Sequence, residues 1–295
     1  MKIGVLREIV SGESRVAATP ETVKKMIALS HSVLIEAGAG IQASISDEDY
    51  KNNGAEIVSR NLALQSDLLL MVRPLDEKEI ITLKPKQFMV GMLEPFNNDL
   101  QALLKKQGVS AFALEALPRN TRAQSMDVLS SQANIAGYKA VILAADYYKK
   151  FMPMLMTAAG TVKAAKVIVL GAGVAGLQAV ATAKRLGAVV EASDVRPSVQ
   201  EQIESLGGKF IEVPFETEEE KDCAIGKGGY AKPMPKSWLT RQSKVVAEKA
   251  KSADIIITSA LIPGKAPPQL LSEETVKKMK FGSVIVDMAA GSGSD

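Results

Sequence analysis

Lys166-Val-Ile-Val-Leu-Gly171-Ala-Gly173-Val-Ala-Gly176 is the stretch that decides the fold of this chain. The apolar run 167–170 predicts a buried strand. It leads straight into G-x-G-x-x-G, and an Ala/Leu-rich helical stretch, 174–186, follows without a break. A second apolar run, 188–192, ends at Asp194, about twenty residues beyond the glycines, as the dinucleotide-binding fingerprint requires. Each glycine has a physical task. Gly171 makes the tight turn, Gly173 lets backbone approach a pyrophosphate, and Gly176 lets helix pack on strand. The helix start at Val174 offers unpaired N–H groups and a positive dipole end to phosphates.

Asp194 would accept hydrogen bonds from the adenosine ribose hydroxyls. A carboxylate there favours a free 2′-hydroxyl over a 2′-phosphate, hence NAD(H) over NADP(H). Arg196 works the other way, because an arginine can accommodate a 2′-phosphate. Asp194 could instead cap the helix beginning near Pro197. The chain also holds a decoy, Gly38-Ala39-Gly40-Ile41-Gln42-Ala43, after the apolar run 33–35. No long helix follows it directly. The next helix starts at Ser46 or Asp47 and ends at Asn53-Gly54, so the decoy reads as an ordinary strand-to-helix turn.

With 295 residues, the chain can form two α/β domains with sizeable cores. A net charge of +3, dispersed and with no basic run interleaved with aromatics, argues against nucleic acid as a partner. The single cysteine, Cys223, excludes a disulfide framework and a cysteine-rich metal site. Near the N-terminus charge returns at Arg7 and Glu8, too soon for a signal-peptide core. No apolar stretch approaches the roughly twenty residues needed to span a bilayer.

Strands and helices alternate nearly throughout, which predicts two Rossmann-like, doubly wound parallel sheets with a cleft between the domains. Strands are expected at 2–6, 33–36, 67–72, 88–92 and 110–114. In the second half they are expected at 166–170, 189–192, 209–213, 254–259 and 283–288. Helices are expected at 20–29, 47–53, 98–107, 133–149, 174–186, 198–205, 236–251 and 272–279. The boundary is placed so that 1–130 forms an N-terminal α/β domain and 131–295 the nucleotide domain. The polar loop from Pro118 to Gln132 gathers donors and acceptors at this junction, where it would line the site. A second long stretch, Glu216 to Pro235, contains Gly226-Lys-Gly228-Gly229-Tyr230 and reads as a mobile lid or a disordered insertion.

Much familiar catalytic apparatus is missing from the sequence. His31, the one histidine, lies between a helix end and a strand start and reads as a surface or turn residue. No His/Cys/Glu cluster has metal-ligand spacing, so no metal is expected. No Gly-x-Ser-x-Gly elbow or P-loop Lys-Ser/Thr is present. Oxidation of an alcohol or amine moves a proton with the hydride and needs an acid/base group. Hydride exchange between two nicotinamides moves no proton at the reacting carbons; it needs proximity and orientation, with those carbons about 3–3.5 Å apart.

Seven stretches together resemble the soluble NAD(H)-binding component, in the alpha subunit, of proton-translocating NAD(P) transhydrogenases. They are Glu13-Ser-Arg-Val-Ala-Ala-Thr-Pro20, Arg122-Ala-Gln-Ser-Met-Asp127, Ala133-Asn-Ile-Ala-Gly-Tyr138, Thr157-Ala-Ala-Gly160, Leu170-Gly-Ala-Gly-Val-Ala-Gly176, Gly228-Gly-Tyr-Ala-Lys232 and Ala260-Leu-Ile-Pro-Gly-Lys265. The alanine dehydrogenases share the first and the glycine element but not the Arg-Ala-Gln-Ser-Met-Asp loop. The resemblance implies that Arg119, Asp127 and Ser130 hold the carboxamide and ribose side of NAD(H). It implies that Gln124 reaches NADP(H) presented by a separate domain, and that Tyr230 sits on a lid that closes over the nucleotide. NAD contacts carry over to Gly171, Gly173, Val174, Asp194, Val195, Arg196 and Leu261. It further implies a homodimer docked on an NADP(H)-binding domain and a membrane-spanning domain, at the cytoplasmic or mitochondrial matrix face.

Two departures accompany the resemblance. Where alanine dehydrogenases carry a catalytic Lys and His, this chain aligns Met71 and Glu94, while Arg15 matches their substrate-carboxylate arginine. That combination argues against amino-acid oxidation, with a structural ion pair as the other reading of Arg15. The relatives continue beyond a strand matching 283–288 with another strand and a helix. The chain therefore reads as a fragment or as a fold closing with fewer strands. The expected function is hydride transfer from NADH to NADP⁺ on a partner, coupled to proton translocation. The rival readings are an alanine dehydrogenase-like enzyme and a non-catalytic NAD(H)-binding module.

Overall fold

A computed structural model describes residues 1–118, 120–225, 231–260 and 267–290. The chain divides into two compact units, Met1–Leu129 and Ser130–Asp295. The first unit runs β1 (Lys2–Val5), α1 (Pro20–Ala28), β2 (Ser32–Glu36), α2 (Asp47–Asn52), β3 (Glu56–Val58), α3 (Arg60–Ala63), β4 (Leu68–Leu70), α4 (Glu77–Ile80), β5 (Phe88–Gly91), α5 (Asn98–Gln107) and β6 (Ser110–Ala113). Its strands form one parallel sheet in the order β3-β2-β1-β4-β5-β6. Short-range chemistry fixes the helix starts. Thr19 and Thr22 form a reciprocal cap ahead of Pro20 on α1, and Ser46 and Asp49 do the same for α2. The decoy glycines form turns and a single 3-10 turn, Ile41–Ala43, ahead of α2. His31 lies in the connection from α1 to β2, half-buried.

The second unit begins within α6 (Val128–Tyr147) and continues through the hairpin β7 (Leu155–Thr157) and β8 (Gly160–Val162). There follow β9 (Lys166–Leu170), α7 (Val174–Arg185), β10 (Val189–Ser193), α8 (Gln200–Ser205), β11 (Lys209–Phe210), α9 (Glu218–Ile225), α10 (Lys236–Ala250), β12 (Ile255–Thr258), α11 (Glu273–Lys277) and β13 (Val284–Asp287). The parallel sheet has the order β11-β10-β9-β12-β13. Every residue of β12, and Val167, Ile168, Val169 and Leu170 of β9, is buried, because helices cover both faces of a parallel sheet. Ala140, Val141 and Ala144 of α6 and Ala179, Val180 and Ala183 of α7 pack on one face. Val246 and Ala250 of α10 pack on the other. Two doubly wound α/β units are thus present.

Several expectations about the elements need correction. α6 starts at Val128 rather than at 133, so the junction loop is shorter and Ser130, Ser131 and Gln132 are helical. The strand expected over 209–213 is only Lys209–Phe210. The stretch 216–235 is not wholly a lid or an insertion, because α9 occupies its first half. Glu220 fastens α9 to α10, accepting from Ser237 Oγ at 2.9 Å and pairing with Arg241. Residues 226–230 lie outside the described residues. β3, α3, α4 and the hairpin β7–β8 have no counterpart in the sequence reading.

Candidate functional site

In the second unit the strand order reverses between β9 and β12, and the glycine turn leaves β9 at that point. Doubly wound sheets bind ligands at this position. Gly171 has φ +93°, a left-handed conformation that a side chain would strain. Its amide donates to Ser193 O at 2.8 Å, and its carbonyl accepts from Ser259 Oγ at 2.8 Å. Ser259, at the carboxyl end of β12, thereby fixes the turn from below. Gly173 is the N-cap of α7 and offers no side chain, and a Cβ built there would meet nothing within 4 Å. That open space lies before the first amides of α7, which no intrahelical carbonyl can satisfy. Gly176 is pressed against the turn: its Cβ would stand 1.9 Å from Gly171 O. Val174 is part-exposed at the helix start.

Asp194 follows β10, and its carboxylate is heavily used. Oδ1 accepts from Arg196 N and Nε, each at 2.9 Å. Oδ2 accepts from Ala172 N at 2.7 Å and from an Arg196 terminal nitrogen at 2.9 Å. An ionised carboxylate has about four lone-pair sites, and these bonds engage them all. A ribose hydroxyl could bond to Asp194 only if an arm of Arg196 gave way. The same fork neutralises the guanidinium that would otherwise attract a 2′-phosphate. Asp194 does not cap the turn Pro197–Val199, whose N-cap is Arg196 with no side-chain bond. Val195 is half-buried between the two. Leu261 lies outside the described residues, as do Arg119 and Tyr230.

In the first unit, Gln124 and Asp127 share an open cavity of about 370 Å³ with Leu114, Glu115, Pro118 and Asn120. Asn120 orders this loop: its side chain accepts from Ala123 N at 2.9 Å and its carbonyl from Gln124 N at 3.0 Å. Gln124 opens a 3-10 turn, Gln124–Met126, and stands exposed, while Asp127 precedes α6. Ser130 sits in the first turn of α6, in the second unit. The sequence reading missed Glu115. Its Oε1 accepts Glu94 N at 2.7 Å, which holds Glu94 at a left-handed φ of +50°. Its position just past β6 was the available signal, because ligand-facing residues collect at carboxyl ends of strands. The same rule points to Ser259.

The first unit has its own switch point, between β1 and β4. The crevice there, lined by Glu8, Met71 and Arg73, has room for about 10 Å³, roughly one water. Both oxygens of Glu8 accept backbone amides, from Val72 at 2.6 Å and Arg73 at 3.1 Å. Burial nonetheless raises its pKa above the ordinary carboxylate value. Met71 is part of the core at 3% exposure. Arg15 forks onto Glu13 with two bonds of 2.7 Å, and Arg73 Nε reaches the same carboxylate at 3.1 Å.

The Arg15 hydrogen bonds hold the Glu13 pKa down to about 2, against 4.5 ordinarily. A depressed carboxylate stabilises the fold above its unfolded pKa and loses that contribution as pH falls through the folded one. Glu13→Gln should therefore lower the melting temperature at pH 7. The deficit should shrink between pH 4.5 and about 2, as the native carboxyl protonates. Thermal melts of both proteins across that window check this; a constant deficit contradicts it.

Fold and turn together define a Rossmann-like nucleotide-binding protein. Residues 4–136 match the family described as Alanine dehydrogenase/PNT, N-terminal domain, and residues 140–295 match its C-terminal domain. The chain is 47% identical to the first part of NAD(P) transhydrogenase subunit alpha of Rhodospirillum rubrum, over all of this chain and 78% of that protein. It is 32% identical to alanine dehydrogenase 1 of Staphylococcus aureus, over 99% of this chain and 73% of that one. The crystal structure of transhydrogenase from Sinorhizobium meliloti superposes with a TM-score of 0.88 at 44% identity, covering 98% of this chain and 78% of that one. The chain belongs to the alanine dehydrogenase/PNT family, and lies nearer the transhydrogenase alpha subunits than alanine dehydrogenase. Nicotinamide nucleotide binding is the chemistry that this family implies. Among the described residues, no helix is long and apolar enough to cross a membrane.

Proposed function

We propose that this chain is the NAD(H)-binding component of an NAD(P) transhydrogenase, giving hydride from NADH to NADP⁺ held by another domain or subunit. The dinucleotide turn, with Gly171, Gly173 and Gly176 each where the pyrophosphate requires it, carries this reading. The residues of the turn fit the nucleotide. Gly171, Gly173, Val174 and Gly176 would cradle the pyrophosphate, and Asp194, with an arm of Arg196 displaced from it, would hold the adenosine ribose together with Val195 and Arg196. Bound NADH supplies the hydride, and NADP⁺ accepts it with no proton released at either ring carbon. The protein's own task is then to orient and to exclude water. Asp127, Ser130 and Arg119 would hold the carboxamide and ribose side, Gln124 would reach the partner's NADP(H), Leu261 would contact the NAD(H), and Tyr230 would cover the nucleotide.

Proton translocation belongs, in this reading, to a membrane-spanning partner, with this chain peripheral on its cytoplasmic or matrix face. The Asp194–Arg196 fork supports NAD(H) over NADP(H) here. Fluorescence titration tests that: NADH should bind at least about tenfold more tightly than NADPH, and equal affinities would refute the assignment. Turnover of alanine with NAD⁺ by the chain alone would favour the dehydrogenase reading instead.

We also propose that the chain pairs with a second copy through β7–β8 and the end of α6. An isolated two-stranded hairpin is marginal in water. This one exposes Leu155, Met156 and Val162, and Tyr147 and Phe151 nearby are exposed too. Such apolar surface calls for cover. Met156→Asp should convert a dimer to monomer in analytical ultracentrifugation while circular dichroism stays unchanged. A monomeric parent chain, or a dimeric variant, would contradict the assignment.

A further inference from the structure

The glycine turn is also held from a side that no fingerprint residue marks. Helix α6 packs against the start of α7 at Gly137, which is buried. A Cβ built on Gly137 would stand 2.1 Å from the carbonyl oxygen of Ala175, 2.9 Å from its carbonyl carbon and 3.1 Å from its Cα. The obstacle is backbone, and no rotamer change removes a Cβ. Ala175 is the second residue of α7, so the contact falls on the turn whose amides face the open space beside Gly173. Glycine is among the poorest helix formers. Its presence in the middle of a 20-residue helix is explained by this backbone-to-backbone approach.

We propose that Gly137 is a positioning residue for the pyrophosphate cradle. It lets the backbone of α6 rest on the first turn of α7 and so fixes where the amides of Val174, Ala175 and Gly176 point. This rests on the reading that a nicotinamide dinucleotide binds at that turn. The spacing of Ser130, Asn134 and Gly137 (i, i+4, i+7) places them on one face of α6. Asn134 Nδ2 donates to Ser130 O at 3.3 Å. The face that supports the cradle therefore also carries Ser130, so α6 acts as a strut linking the two.

The test is Gly137→Ala in the whole chain, titrated with NADH, ADP and adenosine. ADP carries the pyrophosphate and adenosine does not. NADH and ADP should each bind about tenfold more weakly or worse, with adenosine unchanged. Unchanged ADP affinity, or an equal loss for adenosine, overturns the proposal. Failure of the parent chain to bind NADH sinks the reading of the turn as well. Should the variant not fold, hydrogen exchange on the parent chain decides. ADP should slow exchange in α6 around Gly137 together with the first turn of α7. Protection confined to α7 overturns the proposal.

Discussion

Gly176→Ala should weaken NADH binding by at least about a hundredfold, some 2.7 kcal/mol. The added methyl would stand 1.9 Å from Gly171 O and 2.9 Å from Ser259 Oγ. Either α7 moves off the turn or the Ser259–Gly171 bond breaks, and both displace the amides that meet the pyrophosphate. Alanine is worth up to about 1 kcal/mol over glycine inside a helix. Overpacking of this kind costs about 1–3 kcal/mol, so the melting temperature should fall as well. Calorimetric titration and a thermal melt check the two effects. Affinity within twofold of the parent chain would mean that the turn does not hold the nucleotide.

Asp194→Ala should produce the other large effect, and a more specific one. It removes the proposed ribose acceptor, leaves Arg196 without its fork, and orphans the amide of Ala172. The Asp194 side chain is 7% exposed and that of Arg196 22%. Breaking one partner of a buried pair costs about 3–5 kcal/mol, and this pair, partly wet, should lie near the lower end. NADH affinity should fall about a hundredfold. NADPH should lose far less, because Arg196 is then released toward a 2′-phosphate. Titrating both nucleotides measures the change in preference. A parallel loss for NADH and NADPH would show that Asp194 supports the fold without choosing the nucleotide.

How much of this was legible in the sequence depends on the range of the forces involved. Residues 167–170 of β9 and 255–257 of β12 form unbroken apolar runs because helices cover both faces of their sheet. α1, α2 and α5 carry their own capping residues within four positions. The three-residue β3 and four-residue α3 and α4 are too short for any period to show. The hairpin β7–β8 is apolar yet exposed, so its pattern followed neither core nor surface. α6 begins at Val128, but the polar Ser130, Ser131 and Gln132 interrupt its apolar pattern and hid the helix start.

The site divides in the same way. Gly171 answers to its own left-handed φ, Gly176 to Gly171 five positions back, Gly173 to the open helix start and Asp194 to a strand end, so all were readable. The fork from Arg196 that engages Asp194 was half-visible, as an arginine two residues on. Ser259 meets Gly171 across 88 positions, and Glu115 meets Glu94 across 21. Their places at strand ends were the only signal, and the pairings themselves leave no trace in a single sequence. The same holds for Gly137, which needs the packing of α6 on α7 before it means anything.

The most direct test of the central claim is reconstituted hydride transfer. The purified chain is mixed with a separately prepared NADP(H)-binding component, and reduction of an NADP⁺ analogue by NADH is followed spectroscopically. Pyruvate plus ammonium is offered in parallel. Analogue reduction that requires both proteins, with no NADH consumed in the parallel reaction, is the result predicted. NADH oxidation by pyruvate and ammonium with this chain alone, or NADH binding without any transfer, would contradict it.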